Sequence, residues 1–88
     1  MAWKIVYQPS AKREFGNLDR TLQKRIEKFI NFRLQPSENP RSFGHGLTGN
    51  FSGHWRYRVG DYRIVCRILD QEIVIELIKI AHPRTVYN

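Results

Sequence analysis

The sequence predicts an α+β fold: a helical hairpin packed on one face of a mostly antiparallel, twisted sheet, in the element order β-α-α-β-β-β. Apolar residues alternate with polar ones near the start of the chain and again from residue 51 onward, which is typical of half-buried strands. Between these segments they recur at the three- and four-residue spacing of amphipathic helices. With 88 residues, positions 1–88 are expected to form a single small domain, because a second would need a longer chain.

The first third of the chain is predicted to form one strand and two helices. Within residues 3–8, alternation places Trp3, Ile5 and Tyr7 on one face, as in a half-buried strand. Ser10 is a residue type that caps helix N-termini, and it precedes a short apolar stripe. Asp19 is expected to cap a second helix that runs to about residue 35. The short break between the helices predicts that they fold back on each other.

The rest of the chain is predicted as a loop followed by three strands. Residues 36–50 contain two prolines, three glycines and several turn signals, so we expect a long loop, a kind of segment that often carries function. Alternating segments at 51–59, 62–69 and 72–80 predict the three strands. The tail, residues 81–88, shows no clear periodicity.

The turn between the first two of these strands determines which side chains share a face. Glycine at the first central position suits a two-residue type II′ turn, so Gly60 and Asp61 are predicted to form the bend. Arg58 then lies directly opposite Arg63, and side chains alternate between the two faces. The apolar face, expected to meet the helices, holds Trp55, Tyr57, Val59, Tyr62, Ile64 and Cys66. The other face is basic and open, and it holds His54, Arg56, Arg58, Arg63, Val65 and Arg67.

The grouping of arginines on that face has two interpretations. Directly opposed like charges destabilise a sheet, so folding alone gives no reason for it. A phosphate-rich ligand gives one, because guanidinium groups bind phosphate through paired hydrogen bonds and stay charged. Alternatively, arginines on an edge hairpin improve solubility and discourage pairing with another sheet. A two-residue turn at 70–71 would place Glu76 opposite Val65, where it can pair with the arginines on either side.

Composition narrows the partners and the compartment. Fifteen Lys and Arg against eight Asp and Glu give a formal net charge of +7, which points to a polyanion or an acidic protein as partner. The single cysteine, Cys66, excludes an internal disulfide, fits a reducing cytoplasm and is expected to be inert core. No apolar run is long enough for a membrane span. Three scattered histidines predict no metal site, and His45, in the loop, is given no role.

Three segments of the chain resemble the RelE/ParE toxin family. They are Leu47-Thr48-Gly49, the run Trp55-Arg56-Tyr57-Arg58-Val59-Gly60-Asp61-Tyr62-Arg63-Ile64, and the end His82-Pro83-Arg84-Thr85-Val86-Tyr87. The resemblance covers essentially the whole chain and is closer to the RelE branch. It implies the toxin of a bacterial type II toxin–antitoxin system, held inactive by an antitoxin that wraps it. RelE-like members cleave messenger RNA in the ribosomal decoding site, whereas ParE-like members inhibit DNA gyrase without nuclease chemistry.

On the sheet, the resemblance implies roles for Arg56, Arg58 and Arg63, which match strand positions that often hold Lys or Arg for RNA cleavage. Metal-free cleavage needs the 2′-hydroxyl deprotonated, the charge of the phosphorane held and the leaving 5′-oxygen protonated. We expect Arg58 and Arg63 to clamp the scissile phosphate and Arg56 to assist the nucleophile. His54 and Arg67, on the same face, are expected to bind RNA.

In the tail, Tyr87 matches a C-terminal tyrosine that stacks on or orients the substrate. Relatives commonly read Gly-His-Arg-Arg-Glu-Val-Tyr, and here Ala81 and Pro83 replace the Gly and one Arg. The cationic role of the tail is therefore left open between His82 and Arg84. Because arginine stays protonated, we expect protons to move through His82 or through the ribosome.

The resemblance and the basic face together predict a ribosome-dependent mRNA endoribonuclease that needs neither a metal nor another cofactor and acts in a bacterial cytoplasm. Its expected partners are a cognate antitoxin and the 70S ribosome carrying mRNA, with no membrane involved. Two alternatives stay open. One is a ParE-like, non-catalytic inhibitor of DNA gyrase. The other is a plain nucleic-acid-binding module, whose affinity would fall steeply with salt and which would show neither toxicity nor cleavage.

Overall fold

In the computed structural model, which describes residues 2–82, two helices pack on one face of a five-stranded sheet. The strands are β1 (Lys4–Tyr7), β2 (His45–Gly46), β3 (Trp55–Val59), β4 (Tyr62–Leu69) and β5 (Val74–Ala81). The helices are α1 (Pro9–Gly16) and α2 (Arg20–Phe29), the second continued by a π-helical turn at Ile30–Leu34. The strand order is β1-β5-β4-β3-β2, with β1 parallel to β5 and the other neighbours antiparallel. The predicted fold class is confirmed.

The helices cover the apolar face of the sheet, as the alternation in the hairpin predicts. Both layers contribute side chains with no exposed surface, among them Ala11, Ile26, Leu34, Ile64, Cys66, Ile75 and Leu77. Burying an aliphatic side chain of this size stabilises the fold by about 1.5–3 kcal/mol. The Asp19 carboxylate accepts a hydrogen bond from the Leu22 amide at 2.8 Å, which confirms the predicted cap of α2.

The β3–β4 hairpin has the predicted register. Arg58 lies opposite Arg63, and Trp55 lies opposite Cys66. Gly60 has φ of +60°, as the first central position of a type II′ turn requires. A Cβ on Gly60 would lie 3.0 Å from Nη1 of Arg25 in α2, which is the end of a flexible side chain, so the positive φ rather than a lack of space favours glycine at the bend.

Helix α1 continues the edge of the sheet where β1 ends. The Ser10 hydroxyl donates to the carbonyl of Ile78 at 2.8 Å, and the Glu14 carboxylate accepts from the amide of Ile80 at 2.8 Å. These bonds satisfy backbone groups of β5 that have no strand beside them. Ser10 is therefore not the helix cap that its residue type predicts. The helix begins one residue earlier at Pro9, whose fixed φ suits a first helical position.

The predicted loop at 36–50 contains structure of its own. β2 lies within it and pairs with the start of β3, and two 3-10 turns flank that strand. The Tyr57 hydroxyl donates to the carbonyl of Pro40 at 2.5 Å, and the Trp55 indole donates to the carbonyl of Phe43 at 2.7 Å. Two aromatic side chains of β3 thus hold the loop in place. A two-residue strand has no detectable period, which is why alternation could not predict it.

The β4–β5 connection differs from the predicted two-residue bend. A 3-10 turn at Asp70–Glu72 is followed by Ile73 in a left-handed conformation, with φ of +54°, so the connection between the strands has four residues and not two. Glu76 therefore lies opposite Arg67 and not opposite Val65, so the predicted position is wrong. Its carboxylate accepts from Nη1 of Arg67 at 3.4 Å.

Replacing Gly60 with alanine should lower the free energy of unfolding by about 1–2 kcal/mol, because a left-handed φ is unfavourable for a residue with a Cβ. Urea denaturation measures the change. Gly16→Ala is the matched control, since Gly16 lies in α1 with no positive φ and has nothing within 4 Å of an added Cβ. Equal denaturation midpoints for Gly60→Ala and the wild type would contradict the turn geometry.

Arg63→Gln should raise the free energy of unfolding by roughly 0.5 kcal/mol at low ionic strength, because it removes a charge directly opposite Arg58. The gain should shrink in high salt, which screens exposed charges. Arg67→Gln is the control on the same strand: Arg67 faces Glu76, so its removal should not stabilise the protein. Urea denaturation at low and high NaCl separates the two, and a less stable Arg63→Gln at low salt would show that the opposed pair is not repulsive.

Candidate anion-binding site

Three arginines of the β3–β4 hairpin line one pocket at the free edge of β3. β2 pairs with Trp55 and Arg56, and among the described residues, 2–82, no strand lies beside the edge of β3 beyond them. The pocket there has a volume of about 230 Å³. We call it the arginine pocket, after the four guanidinium side chains that line it: Arg33, Arg56, Arg58 and Arg63.

The remaining lining of the arginine pocket includes three aromatic rings. Phe43 lies 5.2 Å from Tyr57 and 6.0 Å from Phe29, measured between ring centroids, and Phe29 lies 5.6 Å from Tyr57. Burial raises the pKa of the Tyr57 hydroxyl, so this group is a neutral donor to the loop carbonyl and not a proton-transfer group at neutral pH. Gly44 has φ of +81°, and a Cβ there would lie 2.6 Å from the carbonyl oxygen of Arg56, so only glycine lets the loop approach β3 this closely.

The hairpin arginines of the pocket have no carboxylate beside them in the part of the chain that the structure describes. Among residues 2–82, no acidic residue lines the arginine pocket. Within residues 2–82, two of these side chains make long hydrogen bonds to backbone oxygens: Nε of Arg58 donates to Gly60 at 3.3 Å, and Nη1 of Arg63 donates to Asp61 at 3.5 Å. Most of their donor groups are therefore available to an anion, and each guanidinium can hold an oxyanion through two parallel bonds.

Arg41, by contrast, is paired with a carboxylate. Its guanidinium donates to both carboxylate oxygens of Asp70, at 2.9 and 3.0 Å. The hydrogen bond from Arg41 holds the pKa of the Asp70 carboxyl below its ordinary value. The pair fastens the loop to the turn before β5, so Arg41 is a structural residue.

Two residues predicted to bind RNA lie outside the lining of the arginine pocket. Arg67 is exposed and pairs with Glu76. The ring of His54 packs edge-on against Phe51 at 5.7 Å, and its Nδ1 is buried. Their contribution to RNA binding stays a prediction.

The predicted tail residues are described only in part. Ala81 is paired with Arg63, so His82 directly follows the residue beside that arginine. His82 lines a separate hollow and not the arginine pocket. Arg84 and Tyr87 lie outside the described residues.

Sequence reasoning missed three side chains that line the pocket. Arg33 and Phe43 form a contact of their own, with Cζ of the arginine 4.9 Å from the ring centroid. His45 lies opposite Arg56 in the β2–β3 pair and lines the pocket as well. Arg33 follows Phe29 by four residues, a spacing that indicates that both lie on one helix face but not that this face borders the hairpin. No sequence signal marks His45, because a strand of two residues positions it, and none marks Phe43, which lies in the loop before that strand.

The cationic lining of the arginine pocket suits an anion. Among residues 2–82, no three His, Cys, Asp or Glu side chains are grouped so as to hold a metal ion. Cys66 has no exposed surface, and burial raises the pKa of its thiol, which confirms it as an inert core residue. No helix in this same part of the chain has both the length and the apolarity to cross a membrane.

Comparisons with known proteins agree with the fold. A family model described as the ParE toxin of the type II toxin–antitoxin system parDE matches residues 5–87. The RelBE2 toxin–antitoxin complex of Mycobacterium tuberculosis has a TM-score of 0.83 at 21% identity, over 93% of this chain and 99% of that chain. The isolated RelE toxin of E. coli has a TM-score of 0.74 at 19% identity, over 92% and 84% of the two chains.

A further solved structure, the YoeB/ParE toxin of Agrobacterium tumefaciens, has a TM-score of 0.66 at 22% identity, over 90% of this chain and 96% of that chain. No curated protein matches the sequence. At these identities the solved structures establish the fold, and the family follows from the model that matches nearly the whole length. The chain therefore belongs to the RelE/ParE family of toxins from type II toxin–antitoxin systems.

Proposed function

We propose that this toxin is a ribosome-dependent endoribonuclease that cleaves mRNA in the ribosomal A site by attack of the RNA 2′-hydroxyl, without a metal ion. The observation that carries the proposal is the arginine pocket, in which cationic side chains from β3 and β4 line a cavity that no acidic residue lines. Such a pocket matches the charge of a phosphodiester and of the more negative phosphorane through which its cleavage passes.

The hairpin arginines act by electrostatics and alignment. Arg58 and Arg63 lie opposite each other and clamp the two non-bridging oxygens of the scissile phosphate. Arg56, two residues before Arg58 on the same face, assists the side of the attacking 2′-hydroxyl, since a nearby cation favours its deprotonation. A guanidinium stays protonated, so these residues hold charge and do not move protons.

Proton transfer falls to groups beside the pocket. His82 directly follows Ala81, and Ala81 is paired with Arg63, one of the two arginines that hold the phosphate. His82 or the ribosome accepts the proton of the 2′-hydroxyl and returns a proton to the leaving 5′-oxygen, Arg84 or His82 stabilises the negative charge on that oxygen, and Tyr87 holds a base by stacking. The ribosome supplies the remaining alignment, which is why free RNA should be a poor substrate.

The proposed partners are a cognate antitoxin and the 70S ribosome in a bacterial cytoplasm. The E. coli RelBE structure and the Pyrococcus horikoshii RelE–RelB structure are complexes of a toxin with its antitoxin. In this chain an open groove beside the arginine pocket is lined by Arg25, Lys28 and Phe32, and Phe32 is 72% exposed. An exposed aromatic ring among cations suits an acidic, amphipathic antitoxin segment, in keeping with the net charge of +7.

A second candidate function is ParE-like inhibition of DNA gyrase without catalysis. The name of the matching family model favours it, and a basic pocket also binds DNA–enzyme complexes. The two candidates differ in the product: cut mRNA in one case, and loss of supercoiling with intact RNA in the other.

Incubation of the toxin with translating ribosomes should give codon-phased mRNA cuts, mapped by primer extension, whereas the same mRNA without ribosomes should stay largely intact. Arg63→Ala should lower the cleavage rate by roughly a hundredfold, as loss of one group that stabilises developing negative charge does in other enzymes. Arg13→Ala is the matched control, because Arg13 is exposed on α1 and does not line the pocket. Undiminished cuts with Arg63→Ala would refute its role. Inhibited gyrase together with uncut mRNA would establish the second candidate instead.

A further inference from the structure

We infer that the arginine pocket also binds a nucleobase of the RNA, stacked on the guanidinium of Arg33 next to the phosphate that the hairpin arginines hold. This inference deepens the proposed function and rests on it, because it assigns the base beside the scissile phosphate to a side chain that the cleavage chemistry does not use. It adds Arg33, from the helical layer, as a residue that contacts substrate and determines which bases are accepted.

The position of Arg33 is that of a stacking platform. Its Cζ lies 4.9 Å from the ring centroid of Phe43 and 5.8 Å from that of Phe29. These cation–π contacts hold the guanidinium beside the two rings without using its hydrogen-bond donors. The residue is exposed and lines the pocket, so part of its surface remains accessible to a ligand. Planar guanidinium groups are among the surfaces on which proteins stack unpaired RNA bases.

The pocket is lined by both cationic and aromatic side chains, so a matching ligand has an anionic part and a flat, aromatic part. An inorganic phosphate would use the guanidinium donors but has no flat surface to pack against the aromatic part of the lining, which Phe29 and Phe43 contribute. A nucleotide has an anionic phosphate for Arg58 and Arg63 and a flat, aromatic base for the side that Arg33 and Phe43 form. The base is the part of the nucleotide that has to enter the pocket, whose volume is about 230 Å³.

The backbone around Arg33 departs from regular α-helical geometry. The helix widens into a π-helical turn, in which the Gln35 amide donates to the carbonyl of Ile30, five residues earlier, at 2.8 Å. This turn keeps Ile30 and Leu34 in the core while Arg33 reaches the pocket. Single π-helical turns are rare and frequently occur at functional sites.

The test measures binding of uncleavable RNA to the full-length toxin. The probes are a 2′-O-methyl adenine trinucleotide and three versions of it, each with an abasic residue at one position. In the wild type, one abasic position should lower the affinity about tenfold, the effect expected for one stacked base. In Arg33→Lys, which keeps the charge but removes the flat guanidinium, the same abasic position should change the affinity less than twofold, and the other two positions should behave as in the wild type.

Arg20→Lys is the matched control, because Arg20 is also exposed on α2 but does not line the pocket, and it should keep the tenfold penalty. Three results would overturn the inference: an equal penalty in Arg33→Lys and the wild type, no penalty at any position, or no binding of the intact trinucleotide at millimolar concentration. Because binding is measured without ribosomes, a toxin that fails to cut ribosomal mRNA can still pass this test. Conversely, codon-phased cutting together with a failed binding test would remove the base site and leave the proposed function standing.

Discussion

The register of the β3–β4 hairpin is the constraint on which the site depends. Gly60, at φ of +60°, makes a two-residue bend, and that bend pairs Arg58 with Arg63 and Tyr57 with Ile64. Because side chains alternate along a strand, a slip of one residue would turn the arginines toward the helices and the apolar set toward water. The burial of Tyr57 and Ile64 under α2 opposes such a slip. The apolar core on one face thus fixes the position of the charges on the other.

The arginines of the protein differ in whether a carboxylate neutralises them. Arg67 faces Glu76 and is neutralised by it, and Arg41 is held by both oxygens of Asp70. Toward the Gly60 bend, Arg58 and Arg63 face each other, and their pocket lacks an acidic lining. The repulsion between Arg58 and Arg63 does not stabilise the fold, and a bound anion would reduce it. The contrast between paired and unpaired arginines separates the structural ones from those proposed to meet the RNA.

The sequence predicts the hairpin half of the site and not the other half. The alternation of apolar and polar residues, together with the glycine at the turn, is enough to predict which face holds the arginines of β3 and β4. Both signals are local, because the two strands are adjacent in the sequence. The placement of His45 depends on a two-residue strand, and the placement of Arg33 depends on a π-helical turn, neither of which has a periodic signature. The predicted position of Glu76 is wrong for a different reason: the β4–β5 connection includes Ile73 in a left-handed conformation, which the sequence does not signal because such a φ is unusual for a β-branched residue.

Side-chain NMR of the arginine Nε–Hε groups, recorded as inorganic pyrophosphate is added to the full-length toxin, tests most directly whether the hairpin forms a shared anion site. We predict that the signals of Arg56, Arg58 and Arg63 shift together with one dissociation constant. The signals of Arg41 and Arg67, which already hold carboxylates, should stay in place. Shifts of similar size at all arginines, or none at the hairpin, would mean that no such site exists.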